Sequence, residues 1–518
     1  MATDTTTSDR PALAAEHTQF EKSLSILETL RLFWRSSLWI AYGQAVVFGY
    51  GIDGIIASYL LAVPQFRFDY GHAFGEGASV TYIIPATWQS LYGGVAQLAA
   101  VIGAYCTGWL ADKIGRKYTN LISCSISVVG VGIQYASISR HSLGILTAGK
   151  AINGISIGMW LVIGPLYASE VAPLKLRGWL TAITNITQFS GVLLFTGIMY
   201  QLGPVASKIA YEIPIACQWI IPSLVILTII FWPESPVWLV RKGKTEQAMR
   251  SLRTLHGAGG KIKLDRMLAQ IEETVAAEAE NNQEPSYKEC FAKKDRHRTL
   301  ISMFVYGCQY LSGLVFVLGY QSYFYQLMGF SPKKSFLLGM LNNISMFIAN
   351  IISWWLLSII GRRPPIVWGQ LMCAITLFII GGTSLIGTFK GYVATIAFMF
   401  LWGFIYQITL GTVAWTVVGE ISSYRLRSRT QGLANIVLNV VQWVVGFLFP
   451  YMFNPDAGNL GGKVGFIFGA TTFIGFIGCW LWLPETMNRT AAELDELFER
   501  GVNVRNFDKA ETNVEKTA

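Results

Sequence analysis

Three sets of residues in this chain have the types and spacing to do chemistry. The first is a single acid, Asp53, inside the apolar run "VFGYGIDGIIASYLLAV" and eleven residues before Pro64. A carboxylate at bilayer depth costs about 2.5–3.5 kcal/mol on insertion scales, so such a group marks an ion or proton path by default. The second set is Asp112, Arg116, Glu170 and Arg177, opposite charges at the ends of neighbouring apolar runs. There glycine permits a tight loop, and a carboxylate can accept both arms of an arginine fork. The third set, Gly154-Ile155-Ser156-Ile157-Gly158, spells the G-x-S-x-G pattern of a nucleophilic serine. That chemistry needs a strand-turn-helix elbow. This stretch lies within an apolar helical run, where its small residues suit close helix packing. No HExxH, Walker A loop or dinucleotide fingerprint occurs, so hydrolysis and ATP drive are unsupported and the chain does not read as an enzyme.

The elements that must position these groups are membrane spans. The chain has 518 residues, 52% of them hydrophobic. Only 14% are charged, against roughly 25% in soluble domains. Mean hydropathy is +0.43. Twelve spans of ~20 residues need about 240 positions, which leaves room for loops, tails and one larger polar segment. A soluble enzyme and a secreted disulfide scaffold are both excluded. The seven cysteines are scattered, with no CxxC pair, and no metal or organic cofactor is expected. Spans are predicted near 38–63, 86–110, 118–138, 143–167, 179–201 and 215–232, then near 299–327, 335–360, 365–386, 392–418, 430–452 and 464–483. The division is a tail over 1–37, a first half over 38–240, a linker over 241–298, a second half over 299–484 and a tail over 485–518. The linker carries 13 Lys/Arg and 9 Asp/Glu, with Leu252, Leu255, Leu264, Met267, Leu268 and Ile271 at helical spacing. That pattern predicts short amphipathic helices under the membrane domain.

The net charge of +9 is spread over alternate loops, so topology explains it better than a nucleic-acid partner. With the linker cytosolic, the same side collects Lys113/Arg116/Lys117, Lys175/Arg177, Arg362/Arg363 and Arg425/Arg427/Arg429, while the six opposite loops share only seven basic residues. Both termini are therefore expected in the cytosol. No cleavable signal segment precedes the first apolar run.

Short strings recur at a nearly constant offset. Glu170 and Arg177 match Glu420 and Arg427 at 250, Gly115-Arg116-Lys117 matches Gly361-Arg362-Arg363 at 246, and Pro233-Glu234-Ser235 matches Pro484-Glu485-Thr486 at 251. Independent matches at one offset imply two six-helix halves of parallel topology.

"GWLADKIGRK" over 108–117 resembles the loop 2–3 signature of the major facilitator superfamily. "PLYASEVAPLKLRG" over 165–178, "PESPVWL" over 233–239 and "PETMNRT" over 484–490 resemble sugar-porter signatures. "YEIPIACQW", "CQYLSGLVFVLGYQSYF" and the ending "LDELFERGV" are similar to the fungal maltose/α-glucoside permease branch. The resemblance implies an all-α membrane protein of the major facilitator fold, with twelve transmembrane helices in two halves and cytosolic helices between them. It also implies that Asp112, Arg116, Glu170, Arg177, Glu234, Arg362, Glu420 and Arg427 form a cytosolic gating network that ties the halves together when the transporter faces outward. Helix-end solubility alone is the alternative, and it accounts poorly for the repeated spacing. The second copy is incomplete, with Ser358 in the place of Asp112.

Asn185, Gln309, Trp415 and Asn439 match the family's cargo-binding positions, with Tyr323 and Asn343 as further candidates. Sugars need amides for their hydroxyls and an aromatic face for the ring. For any single amide the alternative is an interhelical hydrogen bond, and for Trp415 an ordinary lipid-facing or core ring. The family also pairs an acid in span 1 with a base in span 4, which here assigns Asp53 and Lys150 to proton coupling. Departures exist: Tyr310 follows Gln309 where hexose carriers have a second glutamine, Val315 replaces an Asn, and Ile52 replaces an aromatic before Asp53. They argue against a strict glucose carrier. The leading expectation is proton-coupled uptake of an α-glucoside by a plasma-membrane monomer, with the proton as coupling ion. A facilitator or exporter of a monosaccharide, polyol or sugar-like metabolite stays open, as does a non-transporting sugar sensor.

Overall fold

The computed structural model describes residues 13, 16, 19–21, 23–75, 81–173, 176–257, 263–280, 286–293, 295–423, 426–487, 489, 491–507 and 510, with the side chains of 26, 177–182, 277–280, 358, 427–428, 491–492 and 506 left aside. Twelve long helices organise the described residues. In the first half they are α1 (Trp34–Leu61), α2 (Ala86–Ile114), α3 (Arg116–Ser139), α4 (Leu143–Val171), α5 (Arg177–Leu202) and α6 (Ile209–Phe231). In the second they are α7 (Arg296–Gly319), α8 (Pro332–Ile360), α9 (Arg363–Leu385), α10 (Phe389–Ile421), α11 (Arg427–Phe453) and α12 (Gly461–Trp482). Among the described residues, eleven of them are long and apolar enough to cross a membrane. The twelfth, α5, has 26 residues, about 39 Å of helix at 1.5 Å per residue.

Local chemistry sets several ends. Ser142 accepts the Ile145 amide at the start of α4, and Thr388 accepts the Gly391 amide at the start of α10. Pro332 occupies the first turn of α8, where a missing N–H costs nothing. Pro64 likewise opens a short helix, Pro64–Tyr70, after α1, and an antiparallel hairpin follows, β1 (His72–Phe74) with β2 (Thr81–Ile83).

Within the first half α4 packs on α2 and α3, and α1 lies on α5; in the second half α9 packs on α10 and α12, and α7 on α11. The halves meet where α2 crosses α11 and α5 crosses α8. The G-x-S-x-G stretch is a continuous part of α4. A Cβ at Gly154 or Gly158 would run into the Ala96 or Ala100 backbone of α2, so these glycines let two helices touch.

The linker forms helices Pro236–Arg241, Thr245–His256 and Leu264–Glu280. Leu252 and Met267 pack with Leu264, Leu268 and Ile271 as their spacing predicts. Three contacts cross the expected divisions. The first tail is not free, because a capped helix, Ile26–Leu32, delivers Phe33 into that linker core. Helix Pro236–Arg241 joins the linker through Trp238, Leu239 and Ala248. The second tail folds back as Ala491–Glu499, and Arg298 at the start of α7 holds Asp495 and the Leu494 carbonyl.

Candidate functional site

A cavity of about 230 Å³ lies between the halves, walled by α1, α2, α4 and α5 from one and α7, α10 and α11 from the other. Two local irregularities shape it. α7 passes into a π-helical turn at Val315–Gly319, and α10 does so at Gln407–Gly411. An i→i+5 turn widens the helix and redirects side chains, which is why such turns collect at functional sites. Residues of both turns line the cavity.

Three expected residues are brought together there: Asn185, Gln309 and Trp415. Gln309 is 4% exposed, and its Nε2 has no partner within the protein. A buried amide left unpaired costs about 1–3 kcal/mol, so this donor is available to a group entering the cavity. Trp415 is 48% exposed and its ring stands 5.0 Å from Tyr306. Three other expected residues lie elsewhere. Asn439 donates back to the Asn435 carbonyl of its own helix at 2.8 Å. Tyr323 donates to Asn454 Oδ1 at 3.0 Å, and Asn343 donates to the Tyr59 hydroxyl at 3.0 Å. The cavity instead adds Gln188, Gln407 and Gln442, with Tyr50, Tyr310 and Tyr406. Gln188 stands one turn beyond Asn185, so the i,i+3 spacing was the available signal. Nothing in the local sequence separates Gln442 from Asn439.

Asp53 and Lys150 also reach this wall, each 2% exposed. Lys150 Nζ donates to the Asp53 carbonyl at 2.9 Å and to Asp53 Oδ1 at 3.3 Å. Asn153 Nδ2 donates to the same Oδ1 at 2.7 Å, Ser127 donates to Asn153 Oδ1 at 2.8 Å, and Gln218 Oε1 lies 3.4 Å from Asn153 Nδ2. The ion pair therefore sits in a polar chain across α1, α4, α3 and α6. Asn153 stands three residues after Lys150 on the same helix face, a neighbour that spacing could have disclosed.

At the linker end, each half carries one charged cluster. Arg116 forks onto Glu170, Nε to Oε2 at 2.9 Å and Nη2 to Oε1 at 2.5 Å. Glu234 accepts the Arg116 and Lys117 amides at 2.9 and 3.1 Å, so an acid caps the N-terminus of α3. Burial pushes the Glu234 carboxyl above its usual range, against the pull of the Ser235, Arg116 and Lys117 amides and the Arg116 charge. The second half repeats the pattern. Arg362 forks onto Glu420 at 3.1 and 3.0 Å, and Glu485 accepts the Arg362 and Arg363 amides at 2.9 and 3.0 Å. Glu485 is outside the expected network, and its signal in the sequence is the repeat of Pro233-Glu234-Ser235 as Pro484-Glu485-Thr486. Gly115 and Gly361 take φ of +95° and +90°, and a Cβ on either would strike the capping acid. Asp112 is 72% exposed and 3.5 Å from Arg116. The side chains of Arg177, Arg427 and Ser358, and loop residues Lys175 and Arg425, lie outside the described residues.

These charged contacts stay within one half. Among the described residues, hydrogen bonds that cross between halves gather at the opposite end. Arg67 donates to Gln326 Oε1 and Gln326 to the Ala62 carbonyl, both at 2.6 Å. Asn454 Nδ2 donates to the Ile84 carbonyl at 3.0 Å, and Asp456 accepts the Ala86 amide at 3.0 Å. Tyr59, bonded by Asn343, stacks on Phe336. Tyr323 and Asn343 thus belong to this seal.

The model of the sugar (and other) transporter family matches residues 37–498. The chain is 31% identical over 501 residues to the alpha-glucosides permease MPH3 of Saccharomyces cerevisiae, covering 95% of this chain and 82% of that protein. It is 32% identical over 500 residues to the maltose permease MAL31 of the same yeast, covering 95% and 80%. Among solved structures, the inward open conformation of the xylose transporter XylE from E. coli superposes with a TM-score of 0.70 at 19% identity, over 89% of this chain and 98% of that one. A D-xylose-proton symporter structure superposes at 0.69 and 18% identity, over 89% and 100%. These superpositions show the major facilitator fold.

Proposed function

Because the chain belongs to the sugar (and other) transporter family, we propose that it couples the entry of a proton to the uptake of an α-glucoside, through alternating access of the central cavity. The observation that carries this reading is the cavity wall: neutral amides and tyrosines from both halves, with one buried acid–base pair beside them. Amides and phenols match hydroxyls, and aromatic faces match the C–H side of a sugar ring. The resemblance to the α-glucoside and maltose permeases of yeast supports the cargo class.

The basic loops and the linker share one end, which the positive-inside bias assigns to the cytosol together with both termini. The seal between halves lies at the other end, which supports a state that faces the cytosol. In the outward state, the paired clusters of the two halves approach one another and close the cytosolic end. Asp53 takes a proton when the cavity faces outward. A neutral Asp53 no longer holds Lys150 by charge, and the polar chain through Asn153 and Gln218 rearranges. The sugar-loaded halves then rock inward, and the proton leaves to the cytosol. The protein works as a monomer in the plasma membrane, with lipid and a small sugar as its partners.

Expression in a transporter-deleted yeast tests the proposal, with uptake of maltose, glucose and a panel of polyols measured together with alkalinisation of the medium. Maltose accumulation with alkalinisation is expected. Polyol or glucose movement without alkalinisation would replace the proposal with a facilitator.

A further inference from the structure

A second cavity, of about 840 Å³, opens at the linker end of the first half, between the start of α3, the end of α6 and helices Pro236–Arg241 and Thr245–His256. The transport cycle makes no use of it. Its wall is divided by chemistry. Lys113, Lys117, Lys244 and Arg250 supply cations, while Tyr118, Ile122, Ile230 and Phe231 supply apolar surface. Ile230 and Phe231 are 73% and 69% exposed, and they end a spanning helix, where exposure means contact with acyl chains. The lining holds one carboxylate, Glu234, whose oxygens already accept the amides of Arg116, Lys117 and Ser235. The nearby acids Asp112 and Glu246 are exposed and outside the lining. Lys117 Nζ donates once, to the Ile230 carbonyl at 2.8 Å, which leaves two of the three ammonium donors.

We infer that this cavity binds the headgroup of an anionic phospholipid, whose acyl chains run along the exposed faces of α3 and α6. Four cations facing a satisfied acid attract a phosphodiester. The apolar floor selects a lipid over a free anion, because a phosphate ion gains nothing from Ile230 or Phe231. Basic clusters beside a membrane span gain appreciably from each cation near an anionic leaflet. The second half supplies a contrast. Its matching bond runs from Arg363 Nη2 to the Trp480 carbonyl at 3.0 Å, and there Arg505 of the chain's own tail lies over the Trp480 ring at 4.4 Å. One site per chain is therefore expected.

The test uses the full chain in detergent, titrated with phosphatidylserine or phosphatidylcholine and read by native mass spectrometry. Wild type should retain one phosphatidylserine in preference to phosphatidylcholine. The triple variant Lys113→Gln/Lys244→Gln/Arg250→Gln, at exposed positions outside the transport site, should lower that retention roughly tenfold or more. Lys208→Gln at the opposite end should leave it unchanged. Equal retention of the two lipids, a triple variant that binds like wild type, or displacement of the lipid by an equal concentration of inorganic phosphate would each overturn the assignment. The readout is independent of sugar uptake, so failure here leaves the transport proposal standing.

Discussion

The two halves are alike at their linker ends and unlike inside. Arg116, Glu170 and Glu234 share with Arg362, Glu420 and Glu485 the arginine fork and the acid cap, down to the left-handed glycine that admits the capping acid. Inside, the first half holds the buried pair Asp53–Lys150, whereas an offset of 250 residues leads to Met303 and Phe400. The second half uses neutral amides, among them Gln309 at the cavity and the Gln321–Asn342 bond of 2.7 Å near the seal. The difference teaches which features follow from the repeat and which from use. Capping a helix start and forking an arginine are geometric needs of each half. A buried ion pair costs several kcal/mol of desolvation per ion, so a second one would add that cost again, and under the proposed coupling one proton path is enough.

The largest expected effect falls on the feature the halves do not share. Asp53→Asn should abolish uphill, pH-dependent uptake while downhill exchange survives, as measured by accumulation ratio and counterflow. If the variant still concentrates sugar with the wild-type pH profile, the asymmetry carries no coupling.

Next come the shared clusters, which differ in burial. Arg116 and Glu170 are 1% and 10% exposed, against 20% and 29% for Arg362 and Glu420. Breaking a buried pair strands a charge at about 3–5 kcal/mol, so Arg116→Gln should lower the melting temperature more than Arg362→Gln does. Equal shifts would show that burial does not separate the two copies.

A smaller effect belongs to the amide wall. Gln309→Ala should raise the apparent substrate constant several-fold, the cost of about 1 kcal/mol or more for a lost hydrogen bond, with surface expression intact. Unchanged kinetics for every accepted sugar would remove Gln309 from the cargo site.

The smallest concerns the incomplete copy. Asp112 is mostly exposed, and an exposed pair contributes ~0–1 kcal/mol. Asp112→Asn should therefore slow transport modestly, and Ser358→Asp should have a still weaker effect. The missing acid implies that cytosolic closure depends more on the first half, and equal effects would sink that asymmetry.

Much of this is legible in the sequence. Hydropathy is a local property, so it located the spans, and α3, α4 and α9 begin within about two residues of where apolar runs predict. Charges at helix ends recur by sequence offset, so both clusters are legible in the repeat, with Glu485 inside it but outside the expected gating network. The short helices Ile26–Leu32 and Pro236–Arg241 were not separated from their surroundings, because their burial depends on the linker core they complete.

The sequence by itself determined the membrane class, the two halves, the charged ends and the presence of one acid at membrane depth, because each is written in composition, periodicity or repeat. Only the tertiary structure decided which amides face the cavity. Asn439 and Gln442 are one turn apart on α11, yet only Gln442 lines it, since helix rotation and the π turns of α7 and α10 arise from packing between helices distant in sequence. The same packing assigned Tyr323 and Asn343 to the seal, and it decided which end is closed, because two rigid halves can rock between states without any change in their own helices.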